Sequence, residues 1–146
     1  MEILTLTDSH PLWHRVRDYA AACSWRAGAS LSRDMAEGAF ATWERVFVAV
    51  DGDIICGYCT ARAADCIPQA PYTPYIGYVF VAEPWRGRRV SQQMIERAAD
   101  YLRGIGFDRV HIVSDHDGLY EKYGFAVIDR LPAPWGAIQK IYMRRL

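Results

Sequence analysis

The spacing of apolar and polar residues predicts strands near both ends of the chain and a strand–helix–strand unit in its middle. Seven segments have the alternation, or the β-branched and aromatic composition, that is typical of strands. They are residues 2–7, 43–50, 53–61, 75–81, 109–114, 125–131 and 137–143. Asp51 and Gly52 form a turn pair that suits a tight hairpin between the second and third segments. The segment 75–81 lacks polar alternation, so we expect both of its faces to be covered.

Apolar residues spaced three and four apart predict helices between these strands. The ranges are 11–23, 27–40, 88–104 and, as a short helix, 117–123. Asp8 or Ser9 suits the cap of the first helix, which carries a proline in its first turn. Ser30 or Ser32 suits the start of the second helix. Glycines follow the third helix, as they commonly do at C-termini.

The order of these elements predicts the fold class. Strand, helix and strand across residues 75–114 indicate a parallel, right-handed crossover. The other strands follow one another through short turns or loops. We therefore expect an α/β (α+β) fold with a mixed, mostly antiparallel central sheet of six to seven strands, flanking helices and one parallel strand–helix–strand crossover. A length of 146 residues suits a single domain over residues 1–146.

Charge and hydropathy exclude several classes of protein. Basic and acidic residues balance at 17 each, which argues against nucleic-acid binding because such proteins usually carry a basic excess or patch. No run of 18 apolar residues exists, so we expect no membrane span. The first residues lack the basic and apolar regions of a signal peptide. A cytoplasmic location is therefore the expectation.

The four cysteines are expected to be small buried thiols. Cys56 and Cys59 form a C-x-x-C pair, but this pair lies in a predicted strand. Residues three apart on a strand point to opposite faces, so the two thiols should diverge. No second cysteine pair and no histidine cluster lie nearby. We therefore predict no metal and no redox pair.

A basic, glycine-containing turn follows the strand at 75–81 and precedes the longest helix. The turn and the start of the helix read Glu-Pro-Trp-Arg-Gly-Arg-Arg-Val-Ser over residues 83–91. The first N–H groups of a helix lack helical partners, and they form an anion site with the dipole of the helix. Gly87 lets the backbone approach a bulky anion, and arginines can grip phosphate with two parallel hydrogen bonds. The alternative is an ordinary helix start with solvated arginines.

Two motifs in the chain resemble the GNAT superfamily of acyl-CoA-dependent N-acetyltransferases. They are WRGRRVSQQMIERA at residues 85–98 and GLYEKYGF at residues 118–125. In that family, amides of a Gln/Arg-x-x-Gly-x-Gly/Ala loop hold the pyrophosphate of coenzyme A. The order of predicted elements matches along nearly the whole chain. The resemblance implies a GNAT-like fold and acetyl-CoA (coenzyme A) as the cofactor.

The resemblance also implies the residues that bind the cofactor. The pantetheine arm would pair with the strand, where Gly77 would allow a close approach, and the pyrophosphate would lie on the turn. The implied residues are Phe80, Val81 and Ala82 on the strand, and Arg86, Gly87, Arg88, Arg89, Val90 and Ser91 on the turn and helix. The sequence departs from the family pattern in having Pro84 at the opening Gln/Arg and Arg89 at the second small residue. Val113 also stands where many relatives have Asn.

By the same resemblance, Tyr120 is the catalytic acid that donates to the leaving thiolate. An amine with a pKa of about 10.4 is mostly protonated at neutral pH, so the reaction also benefits from a base. Asp115 and His116 are predicted as catalytic site residues, either as base or as substrate anchor. Glu83 is a further candidate, whereas His111 lies mid-strand and is expected to be a core histidine. A core aromatic is the alternative for Tyr120.

These observations predict an N-acetyltransferase that moves acetyl from acetyl-CoA directly onto a primary amine of a small molecule or peptide. The alternative is a non-catalytic acyl-CoA-binding sensor, or a regulatory or interaction module, suggested by the arginine in place of a small residue. Four aromatic residues could form a wall for the acceptor, although ordinary core or interface packing is the favoured interpretation of each; they are Trp25, Tyr72, Tyr75 and Trp135. No acidic cluster in the sequence indicates a polycationic substrate. Family members often form homodimers, and the apolar final strand could pair with a second copy.

Overall fold

The computed structural model describes all 146 residues, which form seven strands and three helices. The strands are β1 (Glu2–Leu6), β2 (Arg45–Asp51), β3 (Ile54–Arg62), β4 (Tyr75–Val81), β5 (Arg109–Ser114), β6 (Ala126–Pro132) and β7 (Ile138–Arg145). The helices are α1 (Trp13–Ala22), α2 (Gly28–Glu37) and α3 (Val90–Gly104). Short 3₁₀ turns cover Glu83–Trp85 and Tyr120–Tyr123. No helix is both long and apolar enough to cross a membrane.

All seven strands join one mixed sheet in the order β1-β2-β3-β4-β5-β7-β6. Every neighbouring pair is antiparallel except β4 and β5, which are parallel and are connected through α3. Long connections are needed only for parallel neighbours, because antiparallel strands can be joined by tight turns. The predicted fold class, with one parallel strand–helix–strand crossover in a mostly antiparallel sheet, is confirmed.

The sheet separates two hydrophobic cores. On one face, α3 buries Met94, Ile95 and Leu102 against strands that include β2, β3 and β5. On the other face, α1 and α2 bury Trp13 and Leu31, among others, against β2 and β3. Burial of this kind stabilises by about 1.5–3 kcal/mol for each large aliphatic or aromatic side chain. The helices therefore hold the strands, and the functional site, in place from both sides.

The helix starts differ from the sequence predictions. Neither Asp8 nor Ser9 caps α1, which begins at Trp13; the Leu12 N–H instead donates to the His10 Nδ1 at 3.0 Å. The helix α2 begins at Gly28, ahead of the predicted serines, because a Cβ at Gly28 would collide with the main chain of α1. The predicted short helix over 117–123 is only the 3₁₀ turn.

Cys56 and Cys59 do not diverge as predicted. Both are fully buried in the core beneath α3, and all four cysteines are free thiols. The reason is a bulge: the register between β2 and β3 shifts between Ala49 and Val50. An extra residue in β3 breaks the simple alternation of faces. No group of three or more His, Cys, Asp or Glu side chains is arranged to hold a metal ion.

The middle of β4 is more open than its apolar sequence predicts. Tyr75 and Ile76 are buried, but the next three residues, Gly77 to Val79, are only half-buried. Their exposure arises where β4 loses its neighbour on one side. This open segment is the starting point of the candidate site.

Candidate functional site

The strands β4 and β5 meet at one end and separate towards the other. Their only paired residues are Tyr75 and His111. The His111 N–H and its ring Nδ1 both lie 2.9 Å from the Pro74 carbonyl oxygen, and this closes the gap at that end. His111 is buried, as the sequence predicts, and burial lowers its pKa. Beyond this pair, the edge of β4 facing β5 has no strand partner.

Some residues of β4 direct their main-chain hydrogen-bonding groups towards β3, and others direct them towards the gap beside β5. Phe80 pairs with Tyr58 of β3, and the Ala82 N–H donates to the Cys56 carbonyl at 2.8 Å. The main-chain groups of these two residues therefore face β3. Val81 faces the open side, where its carbonyl accepts a hydrogen bond from the Arg86 Nε at 3.0 Å. Val79 lies in the bulged part of β4 and has no partner in β3.

A bulge in β4 shapes this open edge. The register with β3 shifts between Tyr58 and Thr60, and Tyr78 has a φ of 49°. A non-glycine residue in the left-handed region is uncommon, and for a bulky side chain it is strained. Such strain persists where the surrounding structure imposes it, and it concentrates at functional sites. Here the bulge borders the gap.

The turn between β4 and α3 leaves the start of the helix uncapped. Gly87 has a φ of 78°, and Arg89, the N-cap residue, has a φ of 62°. No side chain caps the first turn of α3, so its N–H groups have no partner within the helix. A Cβ built on Gly87 would have no atom within 4 Å, which means that the space beside the turn is open. The geometry is that of an anion cradle.

The side chains around this cradle lie mostly outside it. Arg86, Arg88 and Arg89 are exposed, and the Arg88 guanidinium lies 4.9 Å from the centre of the Trp85 ring. Val90 is buried and anchors the first turn of α3 in the core. The Ser91 Oγ lies 2.9 Å from the Tyr123 hydroxyl and so connects the helix start to the 3₁₀ turn at Tyr120–Tyr123. The exposed Arg89 leaves the cradle unfilled.

A cavity of about 790 Å³ opens from the gap. Its lining includes Ile112 and Tyr120, which belong to the core on the α3 face of the sheet. It also includes Asp34 of α2 and Trp25, which packs against the core on the opposite face. The cavity therefore connects the two faces of the sheet through the gap between β4 and β5.

Tyr120 is the predicted catalytic residue that lies deepest in this cavity. Its side chain is buried against Tyr123 and Phe125, and burial raises its pKa to about 12. The negative charge of Asp65 is a smaller cause of the same rise. The one fully buried polar side-chain atom without a partner is the hydroxyl of Tyr75. The Tyr120 hydroxyl makes no hydrogen bond in the chain either, so it retains access to the cavity.

Asp115 and His116 lie at the rim of the same cavity. Both side chains are exposed, and both line it at the end of β5. The main chain of His116 is fixed: its N–H donates to the Ser114 Oγ at 3.0 Å, and its carbonyl accepts from the Tyr142 hydroxyl at 2.7 Å. Glu83, the further candidate base, is exposed in the 3₁₀ turn before α3 and does not line the cavity.

The structure brings together acidic residues that the sequence leaves scattered. Asp34, Glu44, Asp65 and Asp115 all line the cavity. These residues come from four separate parts of the sequence, and nothing in their local spacing indicates that they meet.

Only part of the predicted aromatic wall faces the cavity. Trp25 and Trp135 line it, and Trp25 stacks on Phe80 with 6.0 Å between ring centres. Tyr72 and Tyr75 instead pack on His111, at 5.2 and 5.6 Å between ring centres. Tyr78, which the sequence analysis did not select, joins the wall because of its bulge.

Comparison with known proteins agrees with this architecture. The family described as "Acetyltransferase (GNAT) family" matches residues 12–125. No curated protein matches the sequence. The aminoglycoside 6'-N-acetyltransferase from Enterococcus faecium has a similar structure, with a TM-score of 0.73 and 16% identity over 99% of this chain and 97% of that one.

Two similar structures contain coenzyme A or its acetyl form. The GNAT family N-acetyltransferase YhbS from Escherichia coli, in complex with CoA, has a TM-score of 0.71 and 23% identity over 99% of this chain and 80% of that one. A GNAT family acetyltransferase from Elizabethkingia anophelis, with acetyl-CoA bound, has a TM-score of 0.68 and 15% identity over 99% and 97%. The fold and the family match agree, and the chain therefore belongs to the acetyltransferase (GNAT) family.

Proposed function

We propose that this chain is an acyl-CoA-dependent N-acetyltransferase that moves the acetyl group of acetyl-CoA directly onto a primary amine of a small molecule or peptide. The observation that carries the proposal is the gap between β4 and β5: the cavity that contains Tyr120 is lined by residues 76–79 of β4, and the same strand leads to the turn before α3. Membership of the family supports the reaction, and the CoA-containing relatives support the donor. We further propose that residues 1–146 act as one domain.

The main chain at the start of α3 is proposed to bind the pyrophosphate. The uncapped N–H groups of the first turn, including those of Val90 and Ser91, suit an anion. The open space beside Gly87 fits a bulky phosphate group. Arg86, Arg88 and Arg89 would add charge from the surface. The cofactor fits these residues because the cradle consists mainly of backbone groups, and no side chain caps them.

The open edge of β4 is proposed to bind the pantetheine arm by main-chain pairing. The residues in position are Val79 and Val81, one on each side of the predicted Phe80. The Val81 carbonyl already accepts a hydrogen bond from Arg86, which shows that this edge can bind a donor. An amide of the cofactor would compete with the Arg86 guanidinium for the same oxygen.

Tyr120 is proposed to stabilise the leaving thiolate. When bound, acetyl-CoA supplies an acetyl group activated as a thioester. A raised pKa of about 12 keeps the Tyr120 hydroxyl protonated throughout the neutral range. An ordinary thiol has a pKa of about 8.5, so complete proton transfer from Tyr120 would be uphill by about 5 kcal/mol. Donation of a hydrogen bond to the developing charge avoids that cost. Asp115 and His116 are proposed to contact the acceptor at the rim.

Coenzyme A binding provides the first test. At a CoA concentration 100 times Kd, binding should add about 2.7 kcal/mol of stability, or roughly 5–10 °C in Tm. Acetyl-CoA turnover should then rise when a panel of primary amines is added. A Tm shift without any turnover would favour the non-catalytic acyl-CoA sensor. No Tm shift would refute the proposal as a whole.

A further inference from the structure

The four carboxylates of the cavity differ in what holds them. Glu44 is buried, and its oxygens accept the Ala41 and Ala63 N–H groups at 2.8 and 2.6 Å. Asp34 forms an ion pair with Arg62 at 2.7 Å. Both side chains therefore have partners within the protein. Glu44 holds the start of the loop after β3, and Asp34 connects α2 to the end of β3.

Asp65 differs because half of its carboxylate remains available. The Asp65 Oδ1 accepts the Cys66 N–H at 2.6 Å. The Oδ2 accepts no hydrogen bond that is formed by the main chain or by a charged side chain. The nearby Cys66 thiol is only a weak donor. Asp65 is partly buried and lines the cavity, and its Oδ2 is not a fully buried atom, so this oxygen stays available to a ligand.

The position of Asp65 is set by Gly77. A Cβ on Gly77 would come within 2.5 Å of the Asp65 Oδ2 and 3.5 Å of the Thr60 Oγ1. The missing side chain thus lets the carboxylate lie directly against β4, where the strand begins to open. The close approach that Gly77 allows in this structure is that of Asp65. Asp65 and Tyr120 line the same cavity beside the gap.

We infer that Asp65 is the residue that binds the incoming ammonium group of the acceptor and takes its proton. The inference rests on the proposed function, and it assigns the acceptor class as an amine that arrives protonated. Asp65 lies on the α2 face of the sheet, beside Thr60, whereas Tyr120 comes from the core on the α3 face. The base and the acid therefore approach the gap from opposite faces of the sheet.

The proton and bond changes balance with these two groups. The bound ammonium transfers one proton to the Asp65 carboxylate, which passes it to solvent. The free amine nitrogen forms a bond to the acetyl carbon as the bond from that carbon to sulfur breaks. The nitrogen then loses its second proton to solvent, and the thiolate, stabilised by the hydrogen bond that Tyr120 donates, takes up one proton from solvent to become the thiol. The products are the amide, coenzyme A as the thiol, and one proton released.

The charged and titratable groups that face Asp65 allow this role. Burial raises the pKa of Asp65, while the Cys66 hydrogen bonds and the positive charge of Arg62 lower it. From β4, Tyr75 and Tyr78 face the same region, and the charge of Asp65 contributes to the raised pKa of both. Tyr120 faces Asp65 from the 3₁₀ turn. A carboxylate with a raised pKa is a stronger base than an exposed one.

The test compares Asp65→Asn with Asp115→Asn, a carboxylate of the same cavity that is exposed at the rim. The probes are benzylamine, tyramine and putrescine with acetyl-CoA. At pH 7 we expect Asp65→Asn to lower kcat/KM by about 100-fold or more with every amine that the wild type acetylates. The loss should shrink as the pH approaches that at which the amine is unprotonated. Asp115→Asn should change kcat/KM by less.

The same variants supply the control for folding and cofactor binding. The CoA-induced Tm shift should be equal in Asp65→Asn and in the wild type, so a lost shift would indicate damage to the cofactor site.

Because an acid with a raised pKa binds more protons folded than unfolded, its ionisation destabilises the fold as the pH rises. Asp65→Asn should therefore unfold at the same or a higher temperature at pH 7. An Asp65→Asn variant within threefold of wild type, or with the same loss at every pH, would overturn the inference.

A spectroscopic experiment tests Asp65 independently of turnover. The ¹³C resonance of its carboxyl is followed against pH, with and without CoA and with benzylammonium as the probe. We expect the pKa to lie above the ordinary value of about 3.9 and to fall when benzylammonium binds, since an opposite charge favours the ionised form. No response to benzylammonium would refute the role of Asp65, even if CoA binds. Absence of a CoA-induced Tm shift, by contrast, would refute the proposed function.

Discussion

The cofactor cradle and the acceptor cavity are built in opposite ways. The proposed cradle is a short continuous stretch, residues 84–91, in which no side chain caps the start of α3, so its main chain is the proposed binding group. The cavity is lined by side chains from α2, the end of β3, the following loop, β4, the end of β5 and the segment before β7. Groups that come from consecutive residues can be recognised as a motif. Groups that come from distant residues can be recognised only after folding.

The two regions also differ in charge. Exposed arginines surround the cradle, whereas carboxylates line the cavity, with Arg62 paired to Asp34 and Glu44 among them. A phosphate-bearing donor and a protonated amine acceptor would each meet the region of opposite charge. The difference teaches that the chain has a basic and an acidic region on either side of the gap, and under the proposed function the ligands of the two regions would meet at Tyr120.

The largest expected effect comes from Tyr120→Phe, where the two regions meet. Turnover should fall by about 100-fold or more, because the leaving thiolate loses its hydrogen-bond donor. CoA affinity should be unchanged, and the free energy of unfolding should stay within about 0.5 kcal/mol, since no hydrogen bond within the protein is lost. Tyr123→Phe, from the same turn, is the matched control for turnover. Full turnover by Tyr120→Phe would show that the hydroxyl has no role in the reaction.

Gly87→Ala should damage the cradle without altering the cavity. The left-handed φ of 78° would cost about 1 kcal/mol of stability, and the new methyl group would enter the space proposed for the phosphate. We expect CoA affinity, measured by calorimetry, to fall about tenfold. Gly52→Ala is the control, because its φ of 58° carries a similar backbone cost in the β2–β3 turn. Equal affinities of the two variants for CoA would argue against the cradle.

The closed end of the gap should make the protein sensitive to acid. Burial lowers the pKa of His111, so the unfolded chain binds more protons than the folded one below about pH 6.5. Stability should therefore decrease as the pH falls below that value, by at most about 1.4 kcal/mol per pH unit. Urea unfolding at several pH values measures the slope. His111→Asn should reduce the slope of the free energy of unfolding against pH, and His14→Asn, at an exposed position, is the control. An unaltered slope in His111→Asn would contradict this account.

The smallest effect is expected for Arg89→Gly. Glycine accepts the left-handed φ of 62° without strain, so the variant should gain up to about 1 kcal/mol in the free energy of unfolding. If the main chain makes the cradle, CoA affinity should change by less than about threefold. A tenfold loss would mean that the Arg89 side chain holds the phosphate, and the comparison between a main-chain cradle and a side-chain cavity would then need revision.

The fold could largely be predicted because local signals and tertiary structure agree along most of the chain. The Asp51–Gly52 turn, the apolar stripe of α3 and the glycine-containing turn before it each act within a few residues. The helix starts could not be predicted from capping residues alone. Gly28 begins α2 because of its close contact with α1, which is a tertiary constraint.

The candidate site could be predicted only in part from the sequence, because only some of its residues are consecutive in the chain. The cradle residues follow a motif, and Tyr120 follows another. The bulge at Tyr78 turns that residue into the cavity wall, and the contact between Asp65 and Gly77 joins residues twelve apart across a loop. Pairing with β3 also decides which main-chain groups of β4 face the gap, and the sequence alone does not show that pairing.

The central claim is that the open edge of β4 and the start of α3 together bind coenzyme A. Amide hydrogen exchange with and without CoA, resolved by residue, tests it most directly. The account predicts slower exchange for the N–H groups of Val79 and Val81 and for those of Arg88–Ser91, with little change in α1, β1 and β6. Unchanged exchange along the edge of β4, or protection confined to another part of the surface, would contradict it.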